Sequence, residues 1–260
     1  MAARIAESMT LQKADVVDRG GFTSRLWAAL GLRPTLKLRR AEGLLLVTDG
    51  RREIAITSAK RTRLYRPGIN ARLNRLRKAY SIGTCIPVAK GDLVVNFGAN
   101  IGELVLTLAE RGCRVVAIEP DPTTLQCLRH NVGAMADIVP TGLWNADREI
   151  TFYQKPNSAD TSAVNETAWP MVVAARRLDT VMAGYDGRIK IIVGDAEGAE
   201  PEVLEGATET LKRTAFLSIA VGPERKGEMT YEPCRTIVEQ NGFEIIPVAN
   251  PRFLVARKRD

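Results

Sequence analysis

The sequence has few of the residues on which many metal and nucleophilic sites depend. Its 260 residues include one histidine, His130, and four cysteines, which are far apart and form no C-x-x-C pair. Neither a zinc site nor a disulfide framework is indicated, because both need clustered or paired residues. We therefore expect reduced, buried thiols and a partly exposed His130 late in a helix, and we do not expect a mechanism centred on histidine.

Long apolar runs and aromatic residues are also scarce. No apolar run reaches the roughly 18 residues that a membrane helix requires, so no transmembrane segment is expected. The amino terminus has acidic residues and no continuous apolar segment, which argues against a secretory signal and predicts a cytoplasmic protein. Aromatic residues make up 5% of the chain, too few to favour nucleic acid as a partner.

Acidic residues are scarce in the first third of the chain. Residues 1–90 contain 19 Lys and Arg against 6 Asp and Glu, whereas residues 91–260 contain 18 against 24. We predict a lead-in at 1–40 without core elements, a basic hairpin and helix at 41–90 that cap the substrate side, and a cofactor-binding domain at 91–260. The basic part can recruit an anionic partner or be a solvated surface.

Two local patterns define the basic part. Asp49-Gly50 lies between two β-rich runs in residues 43–58, which is a strong hairpin signal. In residues 68–80, hydrophobic side chains recur at helical spacing among basic ones. This predicts a basic amphipathic helix with Asn70 as its N-cap.

From residue 91 onward, strand and helix patterns alternate. Strand patterns occur at LVVNF, RVVAIEP, EITFY, IKIIV, AFLSIAV and FEIIPV. Helix patterns occur at ELVLTLAERG, TTLQCLRHNV, EPEVLEGATETLKR and YEPCRTIVEQNG. This alternation predicts an α/β fold with a mostly parallel twisted sheet of about seven strands.

The turn after LVVNF has the sequence Gly-Ala-Asn-Ile-Gly, residues 98–102. Its glycines let the backbone approach a ligand closely, and the N–H groups that open the following helix point at that ligand. Glu119 ends the next strand, where a carboxylate accepts hydrogen bonds from both ribose hydroxyls of NAD or of S-adenosyl-L-methionine. The acid alone does not distinguish the two.

The spacing of the turn favours S-adenosylmethionine. The turn lacks the G-x-G-x-x-G pattern that seats a pyrophosphate on a helix N-terminus. S-adenosylmethionine has an ammonium and a carboxylate in place of a phosphate, and polar side chains such as Asn96 and Asn100 suit that end. The expected cofactor-binding residues are Asn96, Gly98, Ala99, Asn100, Gly102, Glu119 and Pro120.

Several stretches resemble the FkbM family of S-adenosylmethionine-dependent methyltransferases. KGDLVVNFGANIGELVLTLAERG is similar to the family's first strand and cofactor loop, VVAIEPDPTTLQCLRHNV to its ribose-binding strand and next helix, and DAEGAEPEVLEGA to its D-x-E-G-A-E motif. GLWNADREITFY followed by Ser162 resembles the strand and serine-bearing loop between them. The resemblance covers about residues 65–220.

This resemblance implies a Rossmann-like methyltransferase fold with helices on both faces of the sheet, plus a small N-terminal hairpin and helix extension. It also implies S-adenosylmethionine as methyl donor and O-methylation, which in this family is often of sugar hydroxyls in glycans or natural products. Three positions depart from the family pattern. Asn96 replaces a usual aspartate, Val193-Gly194 replaces a Lys-Ile pair, and Ala220 stands where the fifth strand often ends in glutamate.

The DAEGAE motif follows the IKIIV strand and is expected at the carboxyl ends of the strands, where open α/β sheets bind ligands. A sugar hydroxyl loses its proton during methyl transfer, so a carboxylate there can act as general base. Asp195 is the preferred base or acceptor-orienting group, and Glu197 is the second candidate. No second acidic pair follows in sequence to complete oxygen coordination, and no metal is predicted.

The acceptor side is expected to come from the helix at 68–80 and the polar loop at 155–168. The candidate residues are Arg66, Arg72, Tyr80 and Ser162. Because arginine binds phosphate bidentately, an anionic or phosphate-linked glycan acceptor suits this region.

Other functions stay open as alternatives. The basic N-terminal part is compatible with a methyltransferase that acts on RNA or protein. An NAD-dependent oxidoreductase on a Rossmann sheet is disfavoured by the turn spacing and by the absence of a nearby Tyr-x-x-x-Lys pair. The three departures also leave open a binding module without activity, and the oligomeric state is open, a homodimer included.

Overall fold

A three-stranded antiparallel sheet begins the part of the chain that this computed structural model describes, namely residues 34–154, 161–167 and 169–259. Its strands are β1 (Lys37–Ala41), β2 (Leu44–Thr48) and β3 (Glu53–Ile56), and Asp49-Gly50 turns the chain between β2 and β3 as predicted. The expectation of a lead-in without core elements is wrong for β1, because Leu38 pairs with Val47 and is buried. Residues 1–33 of the predicted lead-in lie outside the described residues.

The predicted basic helix is present as α1 (Ile69–Ala79), which follows a 3₁₀ helix at Ala59–Tyr65. The prediction of Asn70 as its cap is wrong, because the N-cap is Gly68. Asp49 in the hairpin turn supplies the acceptor instead: its Oδ2 accepts a 2.8 Å hydrogen bond from the backbone N–H of Ile69. A tertiary contact thus satisfies the helix terminus and ties the hairpin to the helix.

The central sheet contains the strands of the predicted alternating region. They are β4 (Leu93–Phe97), β5 (Arg114–Ile118), β6 (Asp137–Val139), β11 (Ile189–Gly194), β12 (Thr214–Ala220), β13 (Phe243–Ile245) and β14 (Phe253–Lys258). Within the described residues their order is β13-β14-β12-β11-β4-β5-β6, with β14 antiparallel to its neighbours and the pairs from β12 to β6 parallel. The predicted mostly parallel sheet of about seven strands is confirmed.

The EITFY stretch does not belong to the central sheet. It lies in β8 (Arg148–Gln154), which forms a separate sheet with β7 (Gly142–Leu143), β9 (Thr161–Ser162) and β10 (Pro170–Arg176) in the order β7-β10-β8-β9. Strand alternation identifies a strand but not its partner, and β8 pairs with β10. β6 and β14, which the strand patterns did not predict, complete the central sheet instead.

Helices cover both faces of the central sheet, as expected. In the described chain they include α2 (Glu103–Ala109), α3 (Pro122–Val132), α4 (Leu178–Met182), α5 (Glu200–Glu205), α6 (Thr208–Lys212) and α7 (Tyr231–Gln240), with a 3₁₀ turn at Gly133–Met135. Buried residues of α1 to α3 form one hydrophobic cluster with the N-terminal sheet, and those of α4 to α7 form a second. Along β4, Val94 belongs to the first cluster and Val95 to the second.

One predicted helix is divided in two. The stretch EPEVLEGATETLKR forms α5 and α6, which are separated at Gly206-Ala207. A Cβ at Gly206 would lie 2.3 Å from the carbonyl oxygen of Trp144. The chain therefore breaks the helix where its backbone packs directly against another loop.

The thiols and the histidine lie largely where the sequence predicts. Cys113, Cys127 and Cys234 are buried and free, but Cys85 is exposed, so the expectation of burial is wrong for that residue. His130 is exposed in the last turn of α3. Among the described helices, none combines the length and apolarity needed to cross a bilayer.

Candidate active site

A cavity of about 290 Å³ lies at the carboxyl ends of β4, β5 and β11. The strand order reverses between β4 and β11, and the loops after these two strands line the crevice that such a reversal leaves. Ten of the predicted site residues line it: Asn96, Gly98, Ala99, Asn100, Glu119, Pro120, Asp195, Glu197, Arg72 and Tyr80. In the described chain, the predicted residues Gly102, Arg66 and Ser162 are not part of that lining.

Both glycines of the turn are required by close packing. At Gly98, where φ is +57°, a Cβ would lie 1.8 Å from the carbonyl oxygen of Asp195. At Gly102, where φ is +86°, a Cβ would lie 2.7 Å from Cδ1 of Leu128 in α3. Gly98 thus lets the loops after β4 and β11 meet beside the cavity, while Gly102 lets α2 pack on α3.

Glu119 is anchored by the backbone of the turn it faces. Its Oε2 accepts a 2.8 Å hydrogen bond from the N–H of Asn100, and its Oε1 accepts one of 3.0 Å from the N–H of Asp121. Burial raises the pKa of Glu119 to about 7, although these two hydrogen bonds favour the carboxylate. Each carboxylate oxygen has a further lone pair, so the group can still accept hydrogen bonds from a ligand.

Asn96 presents a buried acceptor that the described residues leave unsatisfied. Its Nδ2 donates to the carbonyl oxygens of Phe97 and Val193, both at 3.1 Å. Its Oδ1 is buried and accepts no hydrogen bond from any described residue. Because buried polar atoms are nearly always paired, an acceptor on the cavity lining is suited to a donor from a ligand.

The DAEGAE loop is held from inside by its last acid. Glu200 is completely buried, and its carboxylate accepts hydrogen bonds from the N–H groups of Ala196 and Gly198 and from the Thr230 hydroxyl. Asp195 Oδ1 accepts a 2.9 Å hydrogen bond from the N–H of Glu197, whose φ is +51°. This internal bracing leaves Asp195 and Glu197 on the cavity lining.

Glu224, which the sequence reasoning missed, stands next to Asp195. The carboxylates of Asp195, Glu200 and Glu224 offer oxygen atoms that all lie within 4.8 Å of one another. Burial and the charges of Asp195 and Glu200 raise the pKa of Glu224, even though Arg252 donates to its Oε1 at 3.2 Å. One feature of the sequence could have identified Glu224: it is an acidic residue in the loop after β12, at the same edge of the sheet as the DAEGAE motif.

Arg72 lies on the cavity in an ion cluster with the partly buried Arg61 and the buried Glu103. Its Nε and Nη2 donate to the two carboxylate oxygens of Glu103 at 2.8 and 3.2 Å. Arg61 Nη2 donates to Glu103 Oε2 at 3.0 Å. Burial alone would raise the pKa of Glu103, but the two guanidinium groups hold it below its ordinary value. The sequence reasoning found Arg72 and missed Arg61 and Glu103, which also line the cavity.

Tyr80 and Arg66 have different surroundings. Tyr80 is buried on the cavity lining with its ring edge-on to Phe253 at 4.8 Å between centroids. Burial, followed by the charges of Asp195 and Glu224, raises the pKa of Tyr80. Arg66 is exposed just before α1.

Ser162 is completely buried beneath the DAEGAE loop. Its hydroxyl donates a 2.8 Å hydrogen bond to the carbonyl oxygen of Glu197 and accepts hydrogen bonds from the N–H groups of Val164 and Asn165. The hydroxyl therefore links the loop after β9 to the backbone of a cavity residue. Residues 155–160 and 168 of the predicted acceptor loop lie outside the described residues.

A family model and a relative of known activity each match half of this chain or more. The family model for the methyltransferase FkbM domain matches residues 96–245. A hexuronic acid methyltransferase, AglP of Haloferax volcanii, is 27% identical over 134 residues, which cover 50% of this chain and 56% of that protein. The match thus spans little more than half of the relative's length.

The solved structures to which this chain is similar have low sequence identity to it. Magnesium protoporphyrin IX methyltransferase from Synechocystis PCC 6803 is 13% identical with a TM-score of 0.42, covering 74% of this chain and 78% of that one. The 16S rRNA N2 G1207 methyltransferase of T. thermophilus is 17% identical with a TM-score of 0.42, covering 86% of this chain and 50% of that one.

Proposed function

This chain belongs to the FkbM methyltransferase family, and we propose that it transfers a methyl group from S-adenosylmethionine to a hydroxyl of a sugar, glycan or natural-product acceptor. The observation that carries the proposal is the composition of one cavity. It brings together Glu119, held by the N–H of Asn100, and the unsatisfied Oδ1 of Asn96.

These residues fit the two polar parts of the methyl donor. The Glu119 carboxylate would accept hydrogen bonds from the ribose hydroxyls, and Gly98, Ala99, Asn100 and Pro120 would help to hold the nucleoside. Asn96 Oδ1 would accept a hydrogen bond from the ammonium of the methionine end. Gly102 supports this arrangement through the packing of α2 on α3.

Asp195 is proposed as the general base. When bound in this cavity, S-adenosylmethionine would supply an electrophilic methyl group for the acceptor oxygen, with S-adenosylhomocysteine as the leaving group. Asp195 takes the hydroxyl proton, and Glu197 orients the acceptor from the same loop. The protein's main contribution is to align the two reactants and to exclude water.

The acceptor is proposed to approach from the side of α1. Tyr80 and Arg72 line the cavity there, and the exposed Arg66 would contact parts of a larger acceptor outside it. Ser162 would act through the Glu197 carbonyl that it holds. The similarity to a hexuronic acid methyltransferase supports a sugar acceptor, and the arginines favour an anionic or phosphate-linked one.

Calorimetry followed by a transfer assay tests this function. We expect the purified protein to bind S-adenosylhomocysteine and to transfer a labelled methyl group to an oxygen atom in a panel of methyl glycosides. Heat with NAD but none with S-adenosylhomocysteine would contradict the proposed donor. Binding of S-adenosylhomocysteine with transfer only to RNA or protein would keep the donor and replace the acceptor.

A further inference from the structure

The ion cluster on the cavity lining has an excess positive charge. Arg61 and Arg72 share the single carboxylate of Glu103, and the side chains of Arg61, Arg72 and Glu103 are 13%, 19% and 5% exposed. Among the described residues, neither arginine forms an ion pair with another acid. Since a buried charge is unfavourable unless it is paired, a second anion would complete this cluster.

Arg61 also has an unused hydrogen-bond donor. Its Nε is buried and donates to no acceptor among the described residues, while its Nη2 is occupied by Glu103. Arg72 uses Nε and Nη2 on Glu103, which leaves the N–H groups of its Nη1 available. The cluster therefore has both the charge and the donors for another planar anion.

We propose that Arg61 and Arg72 form a carboxylate-binding subsite of this cavity, an inference that rests on the proposed function. Two sources supply such a group: the methionine carboxylate of the methyl donor, and the carboxylate of a uronic-acid acceptor. The cavity also offers acceptors at Asn96 Oδ1 and Glu119, so one ligand can place an ammonium and a carboxylate on different partners. In the subsite, Glu103 holds both guanidinium groups through its hydrogen bonds, and the ligand supplies the second anion.

The first experiment tests whether Arg61 is present for a ligand or is needed for the stability of the fold. Arg61→Met removes the excess charge and leaves Arg72 paired with Glu103, so we expect the melting temperature of the free protein to stay the same or to rise. Arg63→Met and Arg75→Met are matched controls, because both arginines are exposed on the same segments and do not line the cavity. A large fall in the melting temperature for Arg61→Met alone would assign the residue to the fold and overturn the subsite.

The second experiment identifies the source of the carboxylate. Calorimetry compares S-adenosylhomocysteine with 5′-methylthioadenosine, which lacks the amino-acid end, and methyl α-D-glucuronide with methyl α-D-glucoside. If the donor's carboxylate is bound, Arg61→Met weakens S-adenosylhomocysteine binding by roughly 10- to 100-fold and leaves 5′-methylthioadenosine unchanged. If an acceptor's carboxylate is bound, Arg61→Met weakens binding of methyl α-D-glucuronide by the same factor and leaves binding of methyl α-D-glucoside unchanged.

Arg72→Lys serves as a second variant, because it keeps the charge and the pairing with Glu103 but removes the planar fork. Unchanged affinity for both carboxylate ligands in Arg61→Met and Arg72→Lys would overturn the subsite. A wild-type protein that binds no S-adenosylhomocysteine would instead contradict the proposed function, and the glucuronide measurement without donor would then decide the subsite by itself.

Discussion

The backbone N–H of Asn100 donates a 2.8 Å hydrogen bond to Oε2 of Glu119, so the acid that ends β5 also holds the turn that follows β4. Asn100 has a φ of +53°, a conformation that a non-glycine residue adopts less readily, and this hydrogen bond helps to fix it. Glu119 therefore couples two adjacent strand ends of the cavity.

Substitution of Glu119 is expected to weaken binding of the donor product. Glu119→Ala removes the proposed acceptor of the ribose hydroxyls and releases the Asn100 N–H, and we expect a loss of roughly 1–3 kcal/mol in the binding free energy of S-adenosylhomocysteine. Calorimetry measures it, with the exposed Glu149→Ala as control. Unchanged affinity would remove the ribose assignment.

Binding of the donor product should weaken as the pH falls. The pKa of Glu119 is raised to about 7 by burial, and the carboxylate is the form that accepts both ribose hydroxyls. We expect the affinity for S-adenosylhomocysteine at pH 6 to be roughly tenfold below that at pH 8. Calorimetry at both pH values checks this, and the dependence should disappear in Glu119→Ala; a dependence that persists there would assign it to another group.

Stability of the free protein should change with pH in the opposite direction. Because the folded-state pKa of Glu119 lies above the ordinary value of 4.5 for this group, protonation favours the folded state. The contribution of Glu119 is fully present below about pH 4.5 and is lost as the pH rises through 7. Urea unfolding should show that wild type gains roughly 1 kcal/mol relative to Glu119→Ala between pH 8 and pH 6; a constant difference would contradict the raised pKa.

Substitution of Asp195 is expected to lower the rate of turnover more than it weakens binding of the donor product. Asp195→Asn keeps an oxygen that can accept the N–H of Glu197, but it removes the base. We expect kcat to fall roughly 100-fold or more while the dissociation constant of S-adenosylhomocysteine changes little. Transfer assays and calorimetry on the same preparation give the two values. Equal losses in both would make Asp195 a ligand of the donor.

Gly98 should tolerate no side chain. Gly98→Ala places a Cβ 1.8 Å from the Asp195 carbonyl oxygen, at a φ of +57°. Gly91→Ala is a matched control, because Gly91 has a φ of +89° and nothing within 4 Å of its Cβ position. We expect Gly98→Ala to lower the free energy of unfolding by roughly 1–3 kcal/mol more than Gly91→Ala does, measured with urea. Equal losses would show that backbone conformation alone requires glycine there.

Local sequence determined the elements that carry the cofactor side of the site, and their order. Apolar runs such as LVVNF specify buried strands, Asp49-Gly50 specifies the hairpin, and the sequence from Leu93 to Glu119 specifies strand, turn, helix, strand and acid. These patterns depend on residues a few positions apart, because backbone preference and side-chain periodicity act over that distance. They were enough to identify one edge of the sheet as the candidate site.

Only the tertiary structure decided which distant side chains meet there. Glu224 approaches Asp195 from the loop after β12, Arg61 joins Arg72 on Glu103, and Ser162 turns inward to hold Glu197. None of these contacts follows from periodicity, since the partners lie on elements whose pairing and packing are set by the strand order and by the shape of both hydrophobic clusters. The same reason explains why Asp49, and not Asn70, satisfies the first N–H of α1.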